Sequence, residues 1–130
     1  ICSRLGLEIE TINWDFNHQC SLKEKYDVIL CFEVLEHLFN PLLFLESLKE
    51  LLNENGVIYL STPYHRPQLL KTLHHYHEIP SDRIMWLFEA AGLRAEEMVK
   101  INSAGKWYNH LTGIRPVMRY FQSTRLYRLR

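Results

Sequence analysis

The sixteen residues YDVILCFEVLEHLFNP, 26–41, change character twice. The first seven, YDVILCF, are nearly all apolar and partly β-branched. Such a run fits a strand buried on both faces, the kind found in a parallel sheet. The stretch closes on Asn40-Pro41, a helix start with Asn at the N-cap and Pro at the first helical position. Between strand and helix stand Glu33, Glu36 and His37. Each has a plain structural reading, since an acid near a helix start is favoured by the helix dipole. Together they put two carboxylates and an imidazole at the carboxyl end of a buried strand, where open α/β sheets bind ligands.

The flanks supply more strands and helices. Upstream, LEIETIN alternates, with Leu7, Ile9 and Thr11 on one face, and predicts a strand over residues 7–13. Asp15 follows it, and the polar NHQCSLKEK, 17–25, reads as a loop or short helix. Downstream of Pro41, Leu42, Phe44, Leu45, Leu48 and Leu52 form an apolar stripe, with Glu46, Lys49, Glu50 and Asn53 opposite it. Gly56 reads as the helix stop. VIYLSTP, 57–63, reads as a strand ended by Pro63, with Thr62 and Tyr64 at its end. RPQLLKTLHHYHEIP, 66–80, reads as a short helix and a loop. Ser81 is placed to cap a helix over DRIMWLFEAA, with Gly92 as its stop, and LRAEEMVKI reads as a further strand. RPVMRYFQSTRLYRLR, 115–130, is basic and aromatic and reads as helical. Strands alternating with helices predict an α/β fold: a Rossmann-like, doubly wound, mostly parallel sheet with helices on both faces.

The chain's 130 residues suit one domain, and its 47% hydrophobic and 23% charged residues are ordinary for a globular protein. No run of 18 apolar residues occurs, which argues against a membrane span, and no basic-then-apolar leader opens the sequence. The chain lacks a starting Met and reads as cut from something longer. Cys2, Cys20 and Cys31 are odd in number and show no CxxC spacing, which suits a reducing, cytoplasmic compartment. The net charge of zero hides an asymmetry. Residues 1–99 hold 8 Lys/Arg against 15 Asp/Glu, and residues 100–130 hold 7 Lys/Arg and no acid. A basic surface docking on the chain's own acidic body accounts for this more simply than a nucleic-acid or membrane contact.

The runs YDVILCFEVLEHLFNP, LLNENGVIYLSTPYH and LFEAAGL, in that order, resemble the later half of a class I S-adenosylmethionine-dependent methyltransferase. The likeness is to the group holding the ubiquinone-biosynthesis O-methyltransferases and many polysaccharide-cluster enzymes. It covers roughly residues 5–100 and leaves 101–130 as a basic C-terminal extension, the whole reading as a partial methyltransferase domain over 1–130. The resemblance implies S-adenosylmethionine as cofactor and a small-molecule or glycan acceptor, with no part for nucleic acid. It implies that Asp15 and the backbone of Phe16 hold the adenine and that Phe32 packs on the cofactor. It implies Glu36 and His37 as the catalytic pair, with His37 taking a proton from an acceptor hydroxyl. An unperturbed imidazole pKa of roughly 6.5 suits that task. Some relatives with Glu-x-x-Glu-His bind a divalent metal. Glu33, Glu36 and His37, with His77 as a further nitrogen, match that pattern, although the resemblance as a whole calls for no metal. The histidines at 74, 75 and 77 are otherwise read as a solvated loop. The family's glycine-rich turn and ribose-holding acid are missing from these residues, which contain five glycines and no GxG. The fold is therefore expected to be incomplete on its N-terminal side, and these residues alone are expected to bind cofactor poorly. The rival expectation is a non-catalytic, degenerate methyltransferase-like binding or scaffold module.

Overall fold

A computed structural model describes residues 14–18, 20, 22–63, 75–77, 79–102 and 123–130. Among the described residues there are four strands and two helices: β1 (Tyr26–Phe32), α1 (Pro41–Glu50), β2 (Leu52–Pro63), α2 (Ser81–Ala90), β3 (Ala95–Asn102) and β4 (Ser123–Leu129). A 3-10 turn, Leu35–His37, lies between β1 and α1. The strand read over residues 7–13 and the helix read within 66–80 lie outside the described residues.

The sheet order is β1-β2-β4-β3. β1 and β2 are parallel, and β4 runs antiparallel to both β2 and β3. Three of the four strands therefore point the same way and one is reversed, a mixed α/β sheet of Rossmann-like character. Among the described residues both helices lie on one face, where the sequence led us to expect helices on both. Phe44, Leu45 and Leu48 of α1 and Ile84, Leu87 and Phe88 of α2 join Cys31, Ile58, Leu60, Tyr127 and Leu129 in one core. The cause is topological: β1-α1-β2 and β2-α2-β3 step the same way across the sheet, and crossovers of one hand stepping one way stay on one side. The opposite face of β1 is open, with Val28, Leu30 and Phe32 at 54%, 64% and 52% exposure.

α1 begins as its sequence directs. The Asn40 side-chain oxygen accepts from the Leu43 amide at 3.2 Å, and Pro41 fills the first turn. It ends at Glu50, not at Gly56. Gly56 lies within β2, where the pairing with β1 jumps from Tyr26↔Leu52 to Val28↔Val57. A Cβ there would sit 2.7 Å from the Leu52 side chain and 2.9 Å from the Tyr26 carbonyl oxygen, so the glycine answers a close approach and not a helix stop. Gly92 does terminate α2, at φ +69°.

Two further expectations change. Ser81 does not cap α2; Pro80 is the N-cap residue, and the Ser81 hydroxyl instead accepts from Arg125. Residues 123–129, read as helical, form β4 and complete the sheet between β2 and β3. Ser123, Arg125, Tyr127 and Leu129 alternate inward, and an arginine in that inward set hid the period of two. Among the described residues, three C-terminal arginines are spent on the chain itself. Arg128 and Arg130 both meet Glu96, and Arg125 is buried among backbone carbonyls.

Candidate active site at the strand ends

β1 stops because Glu33 turns left-handed, at φ 55°. This conformation is costly for a residue with a Cβ and persists only where the surroundings enforce it. Here the enforcing partner is Ser61 of β2. The Glu33 amide donates to the Ser61 carbonyl at 3.1 Å, and the Ser61 hydroxyl donates to the Glu33 carboxylate at 2.8 Å. Glu33 is thus committed to the turn, which takes it out of the ligand set that its spacing suggested.

Beyond it, Leu35 and Leu38 are buried at 0% and 4% exposure and anchor the 3-10 turn in the core. Glu36 and His37 sit between these anchors. The Glu36 side chain is 1% exposed and that of His37 is 46% exposed, with His37 Nε2 3.9 Å from Glu36 Oε1. The His75 ring stands edge-on to His37 at 4.9 Å between centroids. The amides of Tyr76 and His77 donate to the Glu36 carbonyl at 2.8 and 3.2 Å, fastening the 75–77 stretch over the turn. One ligand atom from each of Glu36, His37 and His75 lies within 4.8 Å of the others. A carboxylate and two imidazoles so placed suit a divalent ion such as zinc, iron or manganese. The histidine brought to Glu36 and His37 is therefore His75, where the sequence suggested His77. The H-x-H spacing at 75–77 was its only signal.

The residues expected to hold cofactor are Asp15, Phe16 and Phe32, and the two phenylalanines line one pocket with Val34. Phe16 packs against Trp14 and Phe44 at 4.9 and 5.1 Å between centroids. Together with Phe32, Val34 and the length of β1, these rings line an open apolar trough of about 570 Å³. Asp15 is exposed in the adjoining turn. Its carboxylate accepts from the Asn17 amide at 3.0 Å and meets His18 Nδ1 at 2.9 Å. The Asn17 backbone bond, helped by the His18 and Asn17 side chains, holds the Asp15 carboxyl below its usual range. The Asn17 side chain in turn accepts from the Phe39 amide at 2.9 Å, tying this turn to the loop that carries His37. Burial, then the charge of Glu36, pushes the Cys31 thiol up to about 12.

A four-stranded mixed sheet whose polar residues gather at the parallel-strand ends defines an open, Rossmann-like α/β domain. Comparison with known proteins narrows this. Residues 6–98 match the family described as "Methyltransferase domain". The chain belongs to this family of class I S-adenosylmethionine-dependent methyltransferases. It is 34% identical over 107 residues to the ubiquinone biosynthesis O-methyltransferase of Histophilus somni, covering 69% of this chain and 42% of that protein. The chain thus spans less than half the length of that relative. Its fold matches an S-adenosylmethionine-dependent methyltransferase from Clostridium acetobutylicum, with TM-score 0.71, 12% identity, and coverage of 99% of this chain and 67% of that one. It also matches a Brevibacillus brevis O-methyltransferase in complex with S-adenosyl-L-homocysteine, with TM-score 0.66, 18% identity, and coverage of 98% and 51%. Among the described residues, no helix is long and apolar enough to cross a membrane.

Proposed function

We propose that these residues form the acceptor side and part of the cofactor cradle of an O-methylating enzyme acting on a small molecule or glycan. The observation that carries this is the Glu36–His37–His75 cluster at the end of β1, beside the trough lined by Phe16 and Phe32. The ubiquinone biosynthesis O-methyltransferase relatives support oxygen as the accepting atom.

The residues fit the proposed cofactor. Phe16 and Phe32 offer apolar walls for a planar base, and the Asp15 carboxylate, ionised by its turn, has acceptor capacity left for an exocyclic amine. Bound S-adenosylmethionine would supply an activated methyl group on sulfur. The protein's part is to hold the acceptor oxygen in line and to receive its proton. His37 suits the second task. Its ring is half exposed, so it reaches an incoming hydroxyl, while the buried Glu36 carboxyl lies 3.9 Å behind it. Free Cys20 and Cys31 support a reducing, cytoplasmic setting.

The test is His37→Ala in a protein carrying the whole methyltransferase domain. Turnover should fall about 10²–10⁴-fold, the typical worth of a general base, with cofactor affinity and melting temperature nearly unchanged. Turnover that survives while stability drops would make His37 structural and favour the non-catalytic module. A second reading rests on the three convergent ligand atoms, which suit a divalent ion polarising the acceptor oxygen. Chelator separates the two: the general-base reading expects a rate insensitive to it, and the metal reading expects loss restored by added metal.

A further inference from the structure

Arg125 is a charged residue in an apolar slot. It sits mid-strand in β4, in the inward set with Tyr127 and Leu129, and is 0% exposed. Burying a guanidinium costs several kcal/mol unless its donors are met. Its fork meets three acceptors. Nη1 donates to the Ser81 hydroxyl at 2.9 Å, and Nη2 donates to the Pro63 and Ile79 carbonyls at 3.1 and 2.7 Å. Pro63 is the last residue of β2, and Ile79 and Ser81 lead into α2. One side chain from a third element therefore grips both ends of the segment 64–78. That segment carries His75, Tyr76 and His77, whose ring and amides meet His37 and the Glu36 carbonyl.

We infer that Arg125 is a positioning residue for the candidate site: by fixing Pro63 against Ile79 it holds the 75–77 stretch on Glu36 and sets His75 against His37. This rests on the reading of that cluster as the working site. The sheet alone does not require the charge, since β4 pairs with β2 and β3 through its backbone and an apolar side chain would fill the slot. A planar fork spreads its donors over two outer nitrogens, which suits it to bridge two carbonyls and a hydroxyl at once. Lysine keeps the charge but concentrates its donors at one point, so it should restore the grip in part.

Amide hydrogen exchange and ring-to-ring nuclear Overhauser effects in the full 130-residue chain test this without any methyl transfer. In Arg125→Met, exchange at the Tyr76 and His77 amides should rise about tenfold or more relative to the β1–β2 ladder, as expected for losing charge-assisted hydrogen bonds. The His37–His75 ring contact should weaken, and Arg125→Lys should fall between the two. Ser81→Ala, at an exposed position that does not threaten folding, should give a smaller rise of about threefold at the same amides. Leu129→Val supplies the control, lowering the melting temperature without selecting those amides. The proposal is overturned if Arg125→Met raises them no more than Leu129→Val does. Should Arg125→Met not fold, an unmoved pair of amides in Ser81→Ala overturns it instead. Loss of the catalytic reading of His37 would show in turnover and leave these amides untouched, so the two failures are distinguishable.

Discussion

Cys31 carries a built-in gauge of the electrostatics behind Glu36. Its thiol is 5% exposed, on the inward face of β1. Burial first, and then the negative charge of Glu36, raises it from an ordinary 9.0 to about 12. A thiol whose folded value lies above its unfolded one keeps its proton in the fold after the unfolded chain has lost it. Its contribution is therefore complete below about pH 9 and is lost between about pH 9 and about pH 12. At 1.36 kcal/mol per unit over a gap of about three units, the loss is on the order of 4 kcal/mol. Cys31→Ala removes this linkage and should cost about 1 kcal/mol at pH 7 for the lost sulfur packing. The wild-type advantage should then vanish near pH 10 and reverse above it. Urea midpoints of both proteins at pH 7, 9, 10 and 11 measure this, because lysine and tyrosine titrations cancel in the difference. Glu36→Gln should move the onset of Cys31 ionisation down while leaving it above 9.0, since burial is the larger cause. Parallel stability curves for wild type and Cys31→Ala would refute the reasoning. So would alkylation of native Cys31 at pH 8.5 as fast as that of a free cysteine peptide.

Gly56→Ala should destabilise by about 1–3 kcal/mol, the usual cost of overpacking, because the new Cβ meets the Tyr26 backbone oxygen at 2.9 Å; chemical denaturation reads it. Asn40→Ala removes the side-chain cap on the Leu43 amide and should cost about 1 kcal/mol, whereas Ser81→Ala should leave α2 helicity by circular dichroism unchanged. Mixed oligonucleotides should bind weakly at physiological salt, with a shallow salt slope, because Arg125, Arg128 and Arg130 are engaged within the chain; tight, steeply salt-dependent binding in a fluorescence titration would contradict this.

The parts of the fold legible in the sequence were those whose apolar pattern and punctuation agree. The Asn40-Pro41 start, the Ile84-Leu87-Phe88 face and Gly92 each obey one local rule and took their expected form, whereas YDVILCF formed its strand but not the expected burial on both faces, since Val28, Leu30 and Phe32 are open. The misreadings share a cause: a residue used tertiarily where a local rule predicted otherwise. Gly56 answers a carbonyl on the neighbouring strand, Ser81 answers a guanidinium 44 residues away, and Arg125 occupies an inward strand position that periodicity assigns to an apolar side chain. His75 was hidden for a similar reason. Nothing near it in sequence names its partner, which is the His37 imidazole at the far end of a long segment.

The same contrast explains why Glu36 and His37 stand where they do. In a 3-10 turn residues three apart lie on one side, so burying Leu35 and Leu38 together fixes the turn by apolar packing alone. Of the two residues between those anchors, His37 is carried half exposed to the rim and Glu36 is buried behind it. Glu33 sets the start of the turn, because its left-handed backbone breaks β1 at the point where Ser61 can hold it. The acid placed first in the strand-end motif therefore acts by shaping the chain, and the acid placed second lies buried beside His37 and His75. Two carboxylates that look equivalent in EVLEH are set apart by a single positive φ and a single serine: one is held in the turn and the other is buried 3.9 Å from His37.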